Sequence, residues 1–263
     1  MTFQPVIPTG GIVGWRFLQR TYDAQLESFS SSAVNEREAK YFLDNIGKVQ
    51  TAEDLVSDRR LLQVALGAFG LEDDIDNRYF IQKILSDGTS ADDALSNRLA
   101  DKRYREFSKA FGLGPGDVRK TGLKSNMEAI AQDNVVSRFE VAVGKSNETM
   151  RISLYARHTL SDLAAQDSGA DTKWFYLMGQ PPLRSMMETA LGLPSSFSQL
   201  DIDKQLEVFK DRLSKLTGSD DLAQFADEAA VGKLTDQYLA RSQIAQLQST
   251  ISPAQTALIL LGA

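Results

Sequence analysis

Asp58-Arg59-Arg60-Leu61-Leu62-Gln63-Val64-Ala65-Leu66-Gly67-Ala68-Phe69-Gly70-Leu71 is the stretch whose reading decides the fold. Leu61, Leu62, Ala65, Leu66 and Phe69 recur in steps of three and four, the period that gathers side chains on one face of an α-helix. The run stops at Gly70-Leu71. Helices commonly end on a glycine in the left-handed conformation, because a Cβ there meets the following carbonyl, and an apolar residue just beyond folds back onto the last turn. Gly70 and Leu71 fit those two positions.

The pattern recurs. Asp101-Lys102-Arg103 leads to Ala110-Phe111-Gly112-Leu113, and a third stop, Ala190-Leu191-Gly192-Leu193, is sealed by Pro194. Two origins fit this recurrence. One is a duplication of a helix-turn unit; the other is independent arrival at a favourable helix ending. Either way the expected fold is all-α, a multi-helix array whose units end in Gly-Leu caps.

Working outward, helical signals dominate. Residues 1–14 hold prolines and glycines and read as an irregular arm. Thr51 with Asp54, Asn35 with Glu38, and Ser90 with Asp93 have the spacing of capping boxes, in which two side chains satisfy free amides at a helix start. Glu72, Asp73, Asp74 and Asp76 suit a helix N-terminus, where carboxylates meet the positive end of the dipole. Residues 126–143 and 150–165 read as helices, although Val135-Val136 and Val141 with Val143 also suit a short strand. Pro181-Pro182 fit a first helical turn, and Asp201 fits a cap. Gly114-Pro115-Gly116 is the strongest break. The expected organisation is an arm with an amphipathic helix (1–34), a first helical lobe (35–116), a second (117–250) and a tail (251–263) with an apolar run from Ala257 to Leu261.

Composition narrows the function classes. The 263 residues carry a net charge of −6, and their Lys and Arg are scattered among acids. Nucleic-acid binding rests on concentrated cations that neutralise phosphates, so it is not expected. No run of 18 apolar residues occurs, so membrane insertion is not expected. The start has no basic and apolar leader pattern, so no cleaved signal is expected. With no cysteine, thiol catalysis, disulfides and thiolate metal sites are excluded.

Candidate catalytic residues do not emerge. His158 is the sole histidine and lacks an evident ligand set. No Gly-x-Ser-x-Gly elbow occurs. Counted from Asp74, the calcium-loop glycine position is Tyr79. Gly144-Lys145-Ser146 resembles the end of a phosphate loop, but Phe139 stands where the first glycine belongs. No catalytic, cofactor or metal residue is therefore assigned. The charged groups at 58–60 and 101–103 suit a solvated face with a helix cap, or an ion-pair network that locks the two helix-turn units together.

One stripe suggests recognition. Trp15, Leu18, Tyr22, Leu26 and Phe29 lie on a single helical seam at coiled-coil spacing. It suits either a core face or a surface for a partner helix. Its place after an irregular arm favours a partner, and self-association is open to it.

Tyr41 to Gly112, with Asp58-Arg59-Arg60-Leu61-Leu62, Ala68-Phe69-Gly70-Leu71 and Asp101-Lys102-Arg103-Tyr104, resembles a bacterial all-helical family of unknown function. So do Gly14-Trp15-Arg16-Phe17-Leu18 and Trp174 with Pro182-Leu183. The genes of that family often lie among flagellar genes. The resemblance implies a non-enzymatic, flagellum-associated structural or assembly protein that works through protein partners, such as flagellar components, in the cytoplasm or the flagellum. It brings no cofactor and no catalytic residues. A cytoplasmic helical adaptor or export chaperone is the alternative.

Overall fold

The computed structural model describes residues 3–250, and all regular structure among them is helical, with thirteen α-helices and short 3-10 turns. The chain divides into two compact units: Met1–Val6 with Arg20–Ser146, and Ile7–Gln19 with Asn147–Ala263. One division falls inside the first helix. The break expected after Gly116 is instead a turn within the first unit. It is closed by the Asp117 amide donating to Gly114 O, while the Asp117 carboxylate accepts from the Thr89 amide and the Ser90 hydroxyl. The expected tail, 251–263, lies outside the described residues.

The first unit holds the later turns of α1 (Gly11–Ser30) and seven further helices: α2 (Ala33–Asn45), α3 (Ala52–Ser57), α4 (Arg59–Gly67), α5 (Arg78–Asp87), α6 (Leu95–Arg98), α7 (Arg103–Phe111) and α8 (Lys124–Gly144). The apolar positions at helical period become its core. Phe42, Leu55, Leu62, Ile84, Phe107 and Phe111 are wholly buried there. Each such side chain is worth about 1.5–3 kcal/mol of transfer free energy. Phe139 on α8 receives Tyr22 and Phe29 of α1 edge-on, each with ring centroids 5.6 Å away.

The second unit is built on α9 (Glu148–Ala165), α10 (Ala170–Met178), α11 (Pro181–Leu191), α12 (Ile202–Thr217) and α13 (Glu228–Thr250), with the first turns of α1. Trp174 stacks on Phe209 at 5.7 Å between centroids, and its indole N–H donates to Asp220 O at 2.9 Å. Pro181 and Pro182 occupy the first turn of α11, and the Asp201 carboxylate accepts the Asp203 amide at the head of α12.

The Gly-Leu stops are real and of two kinds. At Gly70 and Gly192 the following leucine amide reaches back to Leu66 O and Glu188 O, the six-to-one bond of a Schellman cap. At Gly112 the glycine's own amide closes on Ser108 O, the simpler left-handed cap. All three glycines have φ between 61° and 67°.

Several local expectations give way to tertiary context. The Thr51–Asp54 box forms, with both reciprocal bonds. The other two do not. The helix expected to start at Asn35 starts at Ala33, and Asn35 instead donates its amide to Phe29 O. Ser90 turns to Asp117, and the next helix begins at Leu95. The β-branched residues 135–143 are helical within α8, where Val135 and Val143 are buried. Helical structure begins at Gly11, so the irregular arm is shorter than the prolines and glycines suggest.

Candidate functional site

The stripe expected to meet a partner is covered by the chain itself. Trp15, Leu18 and Phe29 are 1%, 0% and 8% exposed, and Tyr22 and Leu26 are half-buried. The 3/4 spacing is the same for a core face and a partner face. Here Trp15, Leu18 and Phe29 are core.

The charged repeats are structural. Asp58 caps α4, its carboxylate accepting the amides of Arg60 and Leu61 at 2.9 and 3.1 Å, and the Tyr41 hydroxyl donates to its second oxygen at 2.7 Å. Arg60 lies over the Tyr41 ring, 3.6 Å from its centroid. Burial pushes the Asp58 carboxyl up, but the bonds from Tyr41, Leu61 and Arg60 outweigh it and hold the pKa below its ordinary value. In the second repeat Asp101 accepts the Arg103 amide and pairs with the Arg103 guanidinium, which also donates to Gly70 O. Tyr104 donates to Asp74 at 2.5 Å. The basic residue of one repeat thus ties down the helix stop of the other. Arg59 with Asp76 is by contrast a surface pair, of the sort that contributes little.

Replacing Asp58 by Ala removes a cap and is expected to cost about 1–2 kcal/mol, read from the midpoint of urea unfolding. Because its folded pKa is depressed, Asp58 contributes stability that is present above the ordinary carboxylate range and lost as pH falls through the folded value. The variant's stability is therefore expected to decline less steeply on acidification than that of the wild type.

The remaining ionisable candidates have ordinary partners. His158 meets Tyr155 edge-on at 5.4 Å and lies 3.2 Å from the Thr159 hydroxyl. Among the acids at 72–76, Asp74 accepts from Asn77 and Tyr104, and Asp76 pairs with Arg59. Gly144-Lys145-Ser146 closes α8. Among the described residues, no group of three or more His, Asp or Glu could hold a metal ion, and no helix is long and apolar enough to cross a membrane.

What sequence reasoning missed is an exposed apolar end of the second unit. Arg16 of α1 pairs with Asp236 of α13 at 2.6 Å, and Gly11 of α1 sits against Gln243. As one number rises the other falls, so these segments run antiparallel. At the same end of this pair lie Ile12 and Val13 on α1, and Ile244 and Leu247 on α13, 38–71% exposed. Ile12 and Val13 are neighbours in sequence and share no helical face, so only the antiparallel pairing brings the four to one end.

The family model described as "Protein of unknown function (DUF1217)" matches residues 68–231, more than half of the sequence. The chain belongs to the DUF1217 family. Among solved structures it is similar to protein AGR_C_984 from Agrobacterium tumefaciens, with a TM-score of 0.74 at 22% identity, over 92% of this chain and 99% of that one. At that identity the likeness establishes a shared fold. No curated protein matches the chain in sequence. The DUF1217 match contains the second repeat, the stops at Gly70, Gly112 and Gly192, and the packed Trp174. It leaves out α1, which carries the buried stripe.

Proposed function

We propose that this DUF1217 protein works through protein–protein contacts, without a reaction of its own, as a structural or assembly component of the bacterial flagellum. The observation that carries the contact reading is the apolar end of the second unit. Single exposed apolar residues are common on protein surfaces; several gathered at one end of a helix pair are a feature of association sites. Val13 at 71% and Leu247 at 60% exposure gain most from being covered. The flagellar setting rests on the resemblance to a family encoded among flagellar genes.

The test compares a gene deletion with the chain carrying Val13→Asp and Ile244→Asp together. Deletion is expected to impair swimming, and the double variant is expected to fold normally by circular dichroism yet fail to restore it. The protein is expected in purified flagellar structures. Full motility after deletion would overturn the flagellar assignment, and full rescue by the double variant would overturn the contact surface. Recovery only in the cytoplasm, bound to an export substrate, would replace the proposal with an adaptor or export chaperone.

A further inference from the structure

The two repeats use their last basic residue differently. Arg103 engages its guanidinium inside the chain, on Asp101 and on Gly70 O. Arg60, at the matching position of the first repeat, has no hydrogen-bond acceptor for its guanidinium among the described residues. It is nonetheless held in place. Its Cζ lies 3.6 Å from the centroid of the Tyr41 ring. The Tyr41 hydroxyl is fixed on Asp58 at 2.7 Å, and Asp58 accepts the Arg60 amide at 2.9 Å. Ring, carboxylate and cation close a cycle. A guanidinium stacked on a ring keeps the N–H groups of its edge, the ones that grip both oxygens of a carboxylate. Because the side chain is already ordered, less rotamer freedom is lost when it binds.

Arg60 lines a surface groove of about 620 Å³ together with Tyr41, Lys48, Asp54, Asp58 and Arg59. The acids of the groove are already supplied with donors. One Asp58 oxygen accepts the amides of Arg60 and Leu61, and the other accepts the Tyr41 hydroxyl. Asp54 accepts the amides of Gln50 and Thr51. The cations are less fully engaged. Arg59 pairs with Asp76, but Lys48 donates to the neutral Asn45 carboxamide at 2.8 Å and is exposed. Donors left over in one groove ask for an acceptor from outside. Asp54 and Asp58 limit its charge: a dianionic phosphate is repelled by them more strongly than a single carboxylate is. The openness of the groove limits its source. Lys48, Asp54, Ser57, Arg59 and Arg60 are all exposed, whereas sites for small molecules bury most of their ligand. A side chain presented on another protein's surface needs no such enclosure.

We propose that this groove receives an aspartate or glutamate side chain of a partner protein, gripped by the Arg60 guanidinium and attracted by the Lys48 ammonium. The groove lies wholly in the first unit, so the proposal stands apart from the apolar end of the second.

The test titrates the full chain with a capped alanine peptide bearing one central glutamate, with its glutamine counterpart, with butyrate and with inorganic phosphate. NMR follows the Arg60 side-chain Nε–H and the backbone amides of Arg60 and Leu61. A saturable shift with the glutamate peptide, absent with the glutamine peptide, is the expected result. Arg60→Lys keeps the charge and loses the two-pronged edge, and is expected to weaken binding about tenfold, the loss of one charge-assisted bond. Tyr41→Leu removes the platform and is expected to weaken it about threefold, the cost of ordering a freed side chain. Tyr41→Phe, which restores the ring, is expected to recover most of that loss. The backbone amides report binding in all three variants. No saturable shift with the glutamate peptide, equal binding of the glutamine peptide, or unchanged binding in Arg60→Lys with a wild-type melting temperature would overturn the proposal. Tighter binding of phosphate or butyrate than of the glutamate peptide would overturn the assignment to a protein partner.

Discussion

Leu18→Asp is expected to unfold the protein rather than to detach it from a partner. Leu18 is wholly buried on α1. An aspartate there either takes an uncompensated charge into the interior or is protonated at the expense of its ordinary pKa, and both are unfavourable. The loss also includes the apolar transfer and packing of the leucine, about 2–5 kcal/mol for truncation alone. Together these reach or exceed about 5 kcal/mol, against a total stability of about 5–15 kcal/mol for a typical domain. Thermal and urea melts followed by circular dichroism would show loss of the cooperative transition or a large fall in its midpoint. Val13→Asp, on the same helix but 71% exposed, is the internal control and is expected to stay within about 0.5 kcal/mol of wild type. A Leu18→Asp chain that melts like wild type and loses only an association would restore the stripe to the role of a partner seam.

The comparison between Leu18 and Val13 shows where legibility stops. Periodicity is a local property, so the helical character of α1, α4, α8 and α9 is readable from the chain. So are the glycine stops, because a Schellman cap is completed by bonds within six residues. The outward or inward direction of a stripe is not local. It depends on what lies opposite, and for Phe29 that is Phe139, far along the sequence. The same limit explains the capping boxes. Thr51 and Asp54 form their box, with Asp54 accepting the neighbouring Gln50 amide as well, whereas Ser90 finds a carboxylate at Asp117 and leaves the local pattern. The close approach between α4 and α8 was still less visible, because Asn134 reads as nothing in particular. Gly67 is the one residue with a signal: a glycine inside a strongly helical run asks for a close approach by something else. What approaches is Asn134.

Gly112→Ala is expected to be the most damaging of the alanine substitutions at the three helix stops. All three glycines share a left-handed backbone, and alanine in that region costs about 1–2 kcal/mol wherever it stands. Their surroundings separate them. At Gly192 the nearest atoms to a new Cβ belong to the guanidinium of Arg241, the free end of a long side chain that can step aside. At Gly70 the nearest is the Arg103 guanidinium, so a methyl group there presses on the group that holds Gly70 O. At Gly112 the Cβ meets the Val118 carbonyl, which is backbone and is held in place by the bond from the Lys120 amide to Phe111 O. Relief requires the 112–120 turn to move, and that turn packs directly after Phe111, a wholly buried core ring. The expected order is therefore Gly192→Ala near about 1 kcal/mol, Gly70→Ala somewhat above it, and Gly112→Ala at about 3 kcal/mol or more, strain and displaced packing together. Urea midpoints of the three single variants measure this ranking directly. Equal losses at all three would mean that backbone conformation alone sets the cost. A larger loss at Gly112 would show that the stop also fixes the turn leading into α8, and with it the helix that carries Asn134.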